Sequence, residues 1–156
     1  MKKISVGGWI AVLAAVLTLA ALIVYSINIG SEGYFKNASV SNLVLWTVLA
    51  LVMLVLAVIL KQINLKGGAQ KAVDLIAGAF QIGAPVLLAL ALINLVAARV
   101  EGLGFIYFSN ADVILEVQTP ANLASAAGTI ASIVFYAVAL LAALVAAFCS
   151  LRKKEA

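Results

Sequence analysis

Three groups of residues in this chain have types and spacings that could do chemistry. Asp74, Gly78, Gln81 and Pro85 fall four, three and four residues apart, so on a helix they share one face. Asn94 comes nine residues after Pro85, about 180° round an ideal helical wheel. Polar groups within an apolar helix can border a path for water or ions, or they can hydrogen-bond to neighbouring helices and hold them together. Glu101, Asp112 and Glu116 could gather round a cation, with Asp112 and Glu116 on one side of a strand. The plainer reading, solvated acids in a loop, is preferred. Cys149 precedes Arg152 by one helical turn, a neighbour that could lower its pKa or mark an acylation site. A lone cysteine near the end of an apolar helix reads better as inert.

Much chemistry is excluded. The chain has no histidine and one cysteine, which removes an internal disulfide, a Cys/His zinc site and histidine acid–base catalysis. No phosphate-cradling glycine loop, metal-binding helix motif or nucleophile elbow occurs. No ionisable residue lies deep within an apolar run, as a proton relay or voltage sensor would need. No enzyme activity, cofactor or metal is expected.

Composition identifies the solvent. Hydrophobic residues make up 66% and charged residues 10% of the 156 positions. Soluble domains average roughly 45–50% and about 25%. A chain this short cannot bury that much apolar surface from water, but lipid can solvate it. The net charge of +4 comes from basic residues at the ends of apolar runs. That pattern suits membrane topology and anionic headgroups, and nucleic acid is not an expected partner.

Four apolar runs are long enough to span a bilayer at ~1.5 Å per residue, over about 4–27, 43–60, 72–98 and 121–151. The first is longer than a signal peptide core and has no clear cleavage site, so it reads as a helix that is kept. Small residues recur every fourth position at Gly7, Ala11 and Ala15, at Ala124, Gly128 and Ser132, and at Ala139, Ala143 and Ala147. Such rows can let helices approach closely. Pro85 should kink the third run, whereas Thr119-Pro120 is a good start for the fourth. Between them, 105–108 and 113–117 are rich in strand formers and flank Ser109-Asn110-Ala111-Asp112, a turn sequence. The expected fold is an all-α bundle of four transmembrane helices in one domain, with a small extracytoplasmic β-hairpin between the third and fourth.

Charge sets the expected orientation. Lys2, Lys3, Lys61, Lys66, Lys71, Arg152, Lys153 and Lys154 fall on one side and only Lys36 and Arg99 on the other. Eight against two predicts a multi-pass protein of the cell membrane with both termini cytoplasmic. The inner loop is then 61–71, and the outer loops are 28–42 and 99–120.

The outer loops share a motif, Y-F-x-N-A-x-V, at 34–40 and again at 107–113. It suggests two related helix hairpins, or two similar turns anchored by aromatic residues at the interface. Tyr34, Phe35, Asn37, Phe105, Tyr107, Phe108 and Asn110 are therefore the candidate outer cap or partner-binding residues. The expected function is a non-catalytic membrane scaffold or accessory subunit that binds another membrane protein or its own copy. The alternative is a small homo-oligomeric channel or transporter subunit lined by Asp74, Gln81, Pro85 and Asn94.

Overall fold

The computed structural model describes residues 4–63, 65 and 67–151. Lys2, Lys3, Lys66, Arg152, Lys153 and Lys154, which carry most of the expected charge asymmetry, lie outside the described residues. The described residues form five helices in order: α1 Val6–Gly30, α2 Leu43–Gln62, α3 Gly68–Phe108, α4 Ala111–Val117 and α5 Pro120–Phe148. All except α4 are long and apolar enough to cross a membrane. These four pack as a ring in which α1 touches α2, α2 touches α3, α3 touches α5, and α5 returns to α1. The α1–α5 and α2–α3 seams are the most extensive, and the α1–α2 seam is the slimmest.

The buried positions explain the packing. On α1 they include Gly7, Ala11, Ala14, Thr18, Ala21, Tyr25 and Asn28, alternating steps of four and three. α2 repeats the pattern at Leu43, Thr47, Ala50, Leu54 and Ala57, and α5 at Ser125, Thr129, Ser132, Tyr136, Ala139, Ala143 and Ala146. A period of 3.5 keeps one stripe facing its neighbours when helices wind round each other in a left-handed sense. Small residues dominate the stripe, while Val, Leu and Ile face outward. That is the arrangement lipid favours: greasy side chains gain nothing by leaving it, so close van der Waals contact between slim faces must hold the helices.

The helix starts obey local rules. The Ser5 hydroxyl accepts from Gly8 N–H at 3.1 Å to cap α1, and the Thr119 hydroxyl accepts from Asn122 N–H at 3.2 Å to cap α5, with Pro120 in its first turn. Helix α3 runs unbroken through Pro85 and is much longer than the expected 72–98.

The expected β-hairpin is not formed, and among the described residues there is none. Phe105, Ile106, Tyr107 and Phe108 continue α3, and Val113 to Val117 belong to α4. Asn110 contributes to the outcome: its side-chain oxygen accepts from Val113 N–H at 3.0 Å and caps α4. Asp112 in the first turn favours the positive end of the helix dipole. The residues that suggest a turn between strands equally suit a helix N-terminus, and here capping outweighs β propensity.

Candidate functional site

The end of the bundle that carries the repeated motif is organised by the turn between α1 and α2. Gly33 opens it with φ +132°, a conformation that side chains resist. A Cβ at Gly33 would run into the Ala121 carbonyl oxygen and come within 2.5 Å of Ser125 Cβ, so the turn lies directly on the start of α5. Phe35 N–H donates to the Ser125 hydroxyl at 3.1 Å, Asn37 N–H to the Ile29 carbonyl at 2.8 Å, and Val40 N–H to the Tyr25 hydroxyl at 2.7 Å. α1 and α5 thus each supply hydrogen-bond acceptors for a turn with no regular structure of its own.

α3 supplies the remaining hold. Arg99 is only 4% exposed, and its guanidinium donates to the Ala38 carbonyl. It also lies over the Phe35 ring, 4.7 Å from the centroid. Phe35 is buried against Gly102, where a Cβ would come within 2.7 Å of its ring and 2.8 Å of Tyr34. Above this floor, Tyr34 and Phe105 stack at a tilt with centroids 5.9 Å apart. Tyr34, Phe35, Ala38, Ala98, Arg99, Glu101, Gly102 and Phe105 line an open pocket of about 430 Å³ with both polar and apolar walls.

The two motif copies take different conformations. Tyr34 and Phe35 lie in the irregular turn, with Asn37 left-handed at φ 57°. Tyr107 and Phe108 end α3, and Asn110 caps α4. Phe35 is 3% exposed and its counterpart Phe108 86%. Of the aromatic cap residues, Tyr34, Phe105 and Phe108 are exposed and Tyr107 is half-buried. α4 is tied back where Gln118 Nε2 donates to the Ile106 carbonyl at 3.0 Å and Asn122 Nδ2 to the Val117 carbonyl at 2.8 Å.

At Asp74 and Gln81 the polar face of the third run is engaged by protein. Asp74 accepts from Lys61 at 3.2 Å across the turn between α2 and α3. Buried Gln81 donates to the Ala146 and Cys149 carbonyls, the latter at 2.9 Å, and so caps the last turn of α5. Pro85 is buried and Asn94 half-buried. Cys149 is half-buried at the C-cap of α5, where a Cβ on Gly7 would meet its own Cβ at 2.5 Å. Among the described residues, no group of three acidic or cysteine side chains converges as a metal site would require.

Two further polar links cross the bundle. Asn28, with its amide turned to satisfy both partners, donates to the Ser125 carbonyl at 3.0 Å and accepts from the Thr129 hydroxyl at 2.9 Å. The Thr47 and Tyr136 hydroxyls meet at 2.8 Å, joining α2 to α5, which are not neighbours in the ring.

Sequence reasoning missed Tyr25, Arg99, Gly102 and Ser125 as parts of this site. One signal was available: continued at helical spacing, the buried row Ala91, Leu95 reaches Arg99, Gly102 and Ile106. An arginine in such a row points inward, not into a loop.

Four apolar crossings joined by a capped end define a multi-pass helical membrane protein. Searches of protein-family models, curated proteins and solved structures find no match to this chain.

Proposed function

We propose that this chain is a non-catalytic membrane scaffold or accessory subunit, with both termini cytoplasmic and the capped end outside. Its work is to hold another membrane protein, or a second copy of itself, through the cap. The observation that carries this reading is the overrun of α3. Its 41 residues rise roughly 60 Å, well beyond the ~40–45 Å of a bilayer with its headgroups. On the overrun and on α4, Phe108 is 86% and Leu115 84% exposed. Large apolar side chains beyond the lipid, next to Tyr34 and Phe105, suit a contact surface for protein.

The interior lends less support to the channel alternative. The helix face that would line a path gives Gln81 to the end of α5 and Asp74 to Lys61. Leu54, Leu88, Leu95, Tyr25 and Tyr136 fill the space between the helices.

Purification in mild detergent, with light scattering to count subunits and identification of co-purifying proteins, tests the scaffold reading. A stable complex that Phe108→Ser combined with Leu115→Ser dissociates is the expected result. A monomer with no companion would overturn it. Orientation is tested separately by a reporter fused after Ala156, which should be active on the cytoplasmic side.

A further inference from the structure

Arg99 poses an electrostatic problem that the protein leaves half solved. Among the described residues no carboxylate pairs with it, although it is 4% exposed. A buried charge is costly unless it is paired and hydrogen-bonded. A guanidinium has five N–H groups in a fork that matches phosphate or carboxylate oxygens two at a time. The hydrogen bond to the Ala38 carbonyl engages one nitrogen of the fork, and the side chain that carries the others lines the pocket.

The rest of the wall selects the kind of anion. Glu101 borders the same pocket and is exposed, so a bare anion on Arg99 would be repelled from its side. A ligand with a cationic group a few ångströms from its anion turns that repulsion into attraction. The tilted pair Tyr34 and Phe105 beside Glu101 offers ring faces to the same cation. Position points to the source. The charge-free run between Asp74 and Arg99 rises roughly 37 Å, so Arg99 lies just past one edge of the ~30 Å hydrocarbon layer. The volume of about 430 Å³ accommodates a headgroup.

We propose that this pocket binds a zwitterionic headgroup of the phosphoethanolamine type, with its phosphate on Arg99 and its ammonium between Glu101 and the Tyr34–Phe105 pair. The pocket shares Tyr34 and Phe105 with the contact surface proposed above, but it is complete within one chain.

The test uses the full-length protein in mild detergent and three probes, with affinities measured by native mass spectrometry and calorimetry. The probes are dihexanoyl-phosphatidylethanolamine, dihexanoyl-phosphatidylglycerol and free phosphoethanolamine. The ethanolamine lipid should bind at least about tenfold more tightly than the glycerol lipid. Two variants at exposed positions leave the buried clamp intact. Ala98→Phe fills the mouth and should weaken binding about tenfold or more, whereas Glu101→Gln should erase the preference between the two lipids. Free phosphoethanolamine that competes as well as the lipid would assign the same chemistry to a soluble ligand, and failure to compete assigns it to the membrane. Equal binding of both lipids by the unaltered protein, unchanged binding in Ala98→Phe, or no binding of any probe would each overturn the proposal.

Discussion

The Arg99 guanidinium lies 4.7 Å from the centroid of the Phe35 ring, a cation from α3 laid over an aromatic from the turn between α1 and α2. Through the same side chain α3 also holds the Ala38 carbonyl, so one residue fixes the turn at two points three residues apart. Arginine can do both because its flat face stacks while its edge donates. The turn carries Tyr34, so the shape of the pocket follows from this contact.

Replacing Arg99 with Met should therefore loosen the capped end. The loss comprises a charge-assisted hydrogen bond, about 1.5–3 kcal/mol, and a cation–π contact, about 0.5–2 kcal/mol, offset by the removal of a buried charge. A net loss of about 1–3 kcal/mol is expected, read as a lower midpoint of thermal unfolding in detergent. Amide exchange should rise mainly over 31–42. An unchanged midpoint and exchange pattern would show that the turn does not depend on Arg99.

Gly33 and Gly102 should resist alanine for different reasons. At Gly33 the backbone is strained for any side chain, and the added carbon meets main chain that cannot move. At Gly102 the obstacle is two rings, one of them buried. Gly102→Ala should cost about 1–3 kcal/mol and Gly33→Ala more, each measured as a shift of the unfolding midpoint. Gly104, with nothing within 4 Å of its added carbon, is the matched control.

Gln81 should be inaccessible to water. In a Cys149→Ser background, Gln81→Cys is expected to resist an aqueous thiol reagent that labels an exposed control, because the position is buried against α5. Rapid labelling would revive the channel reading. Gln81→Leu removes a donor from the Cys149 carbonyl, so the native Cys149 should react faster as the last turn of α5 frays.

The Thr47–Tyr136 contact allows a direct measurement of what a hydroxyl pair contributes inside this bundle. Thr47→Val, Tyr136→Phe and the double variant form a cycle. Its coupling energy should be about 0.6 kcal/mol and no more than ~2 kcal/mol. The Thr47 hydroxyl already donates to the Leu43 carbonyl at 2.7 Å, so within the pair Tyr136 is the donor. A coupling near zero would mean that the Tyr136 hydroxyl finds another partner once alone.

Composition and run length by themselves determined the solvent and the number of crossings. Four stretches too apolar for water must lie in lipid, and a helix is the form that satisfies its own backbone there. The Thr119 helix start was equally local, since the cap lies within one turn of its partner. The choice between strand and helix at 105–117 was not legible. Asn110 and Asp112 suit both a turn and a helix start, and Gln118 and Asn122 settle the matter by tying α4 to its neighbours. Nor could a motif repeated along the chain reveal that Phe35 would be buried and Phe108 exposed. That depended on Gly102 of α3 and Ser125 of α5 meeting the first copy and not the second. Helical spacing puts Arg99 on the inward row, but tertiary structure alone decided what it meets there, because only the assembled bundle brings the Ala38 carbonyl and the Phe35 ring to a charge some sixty residues further along the chain.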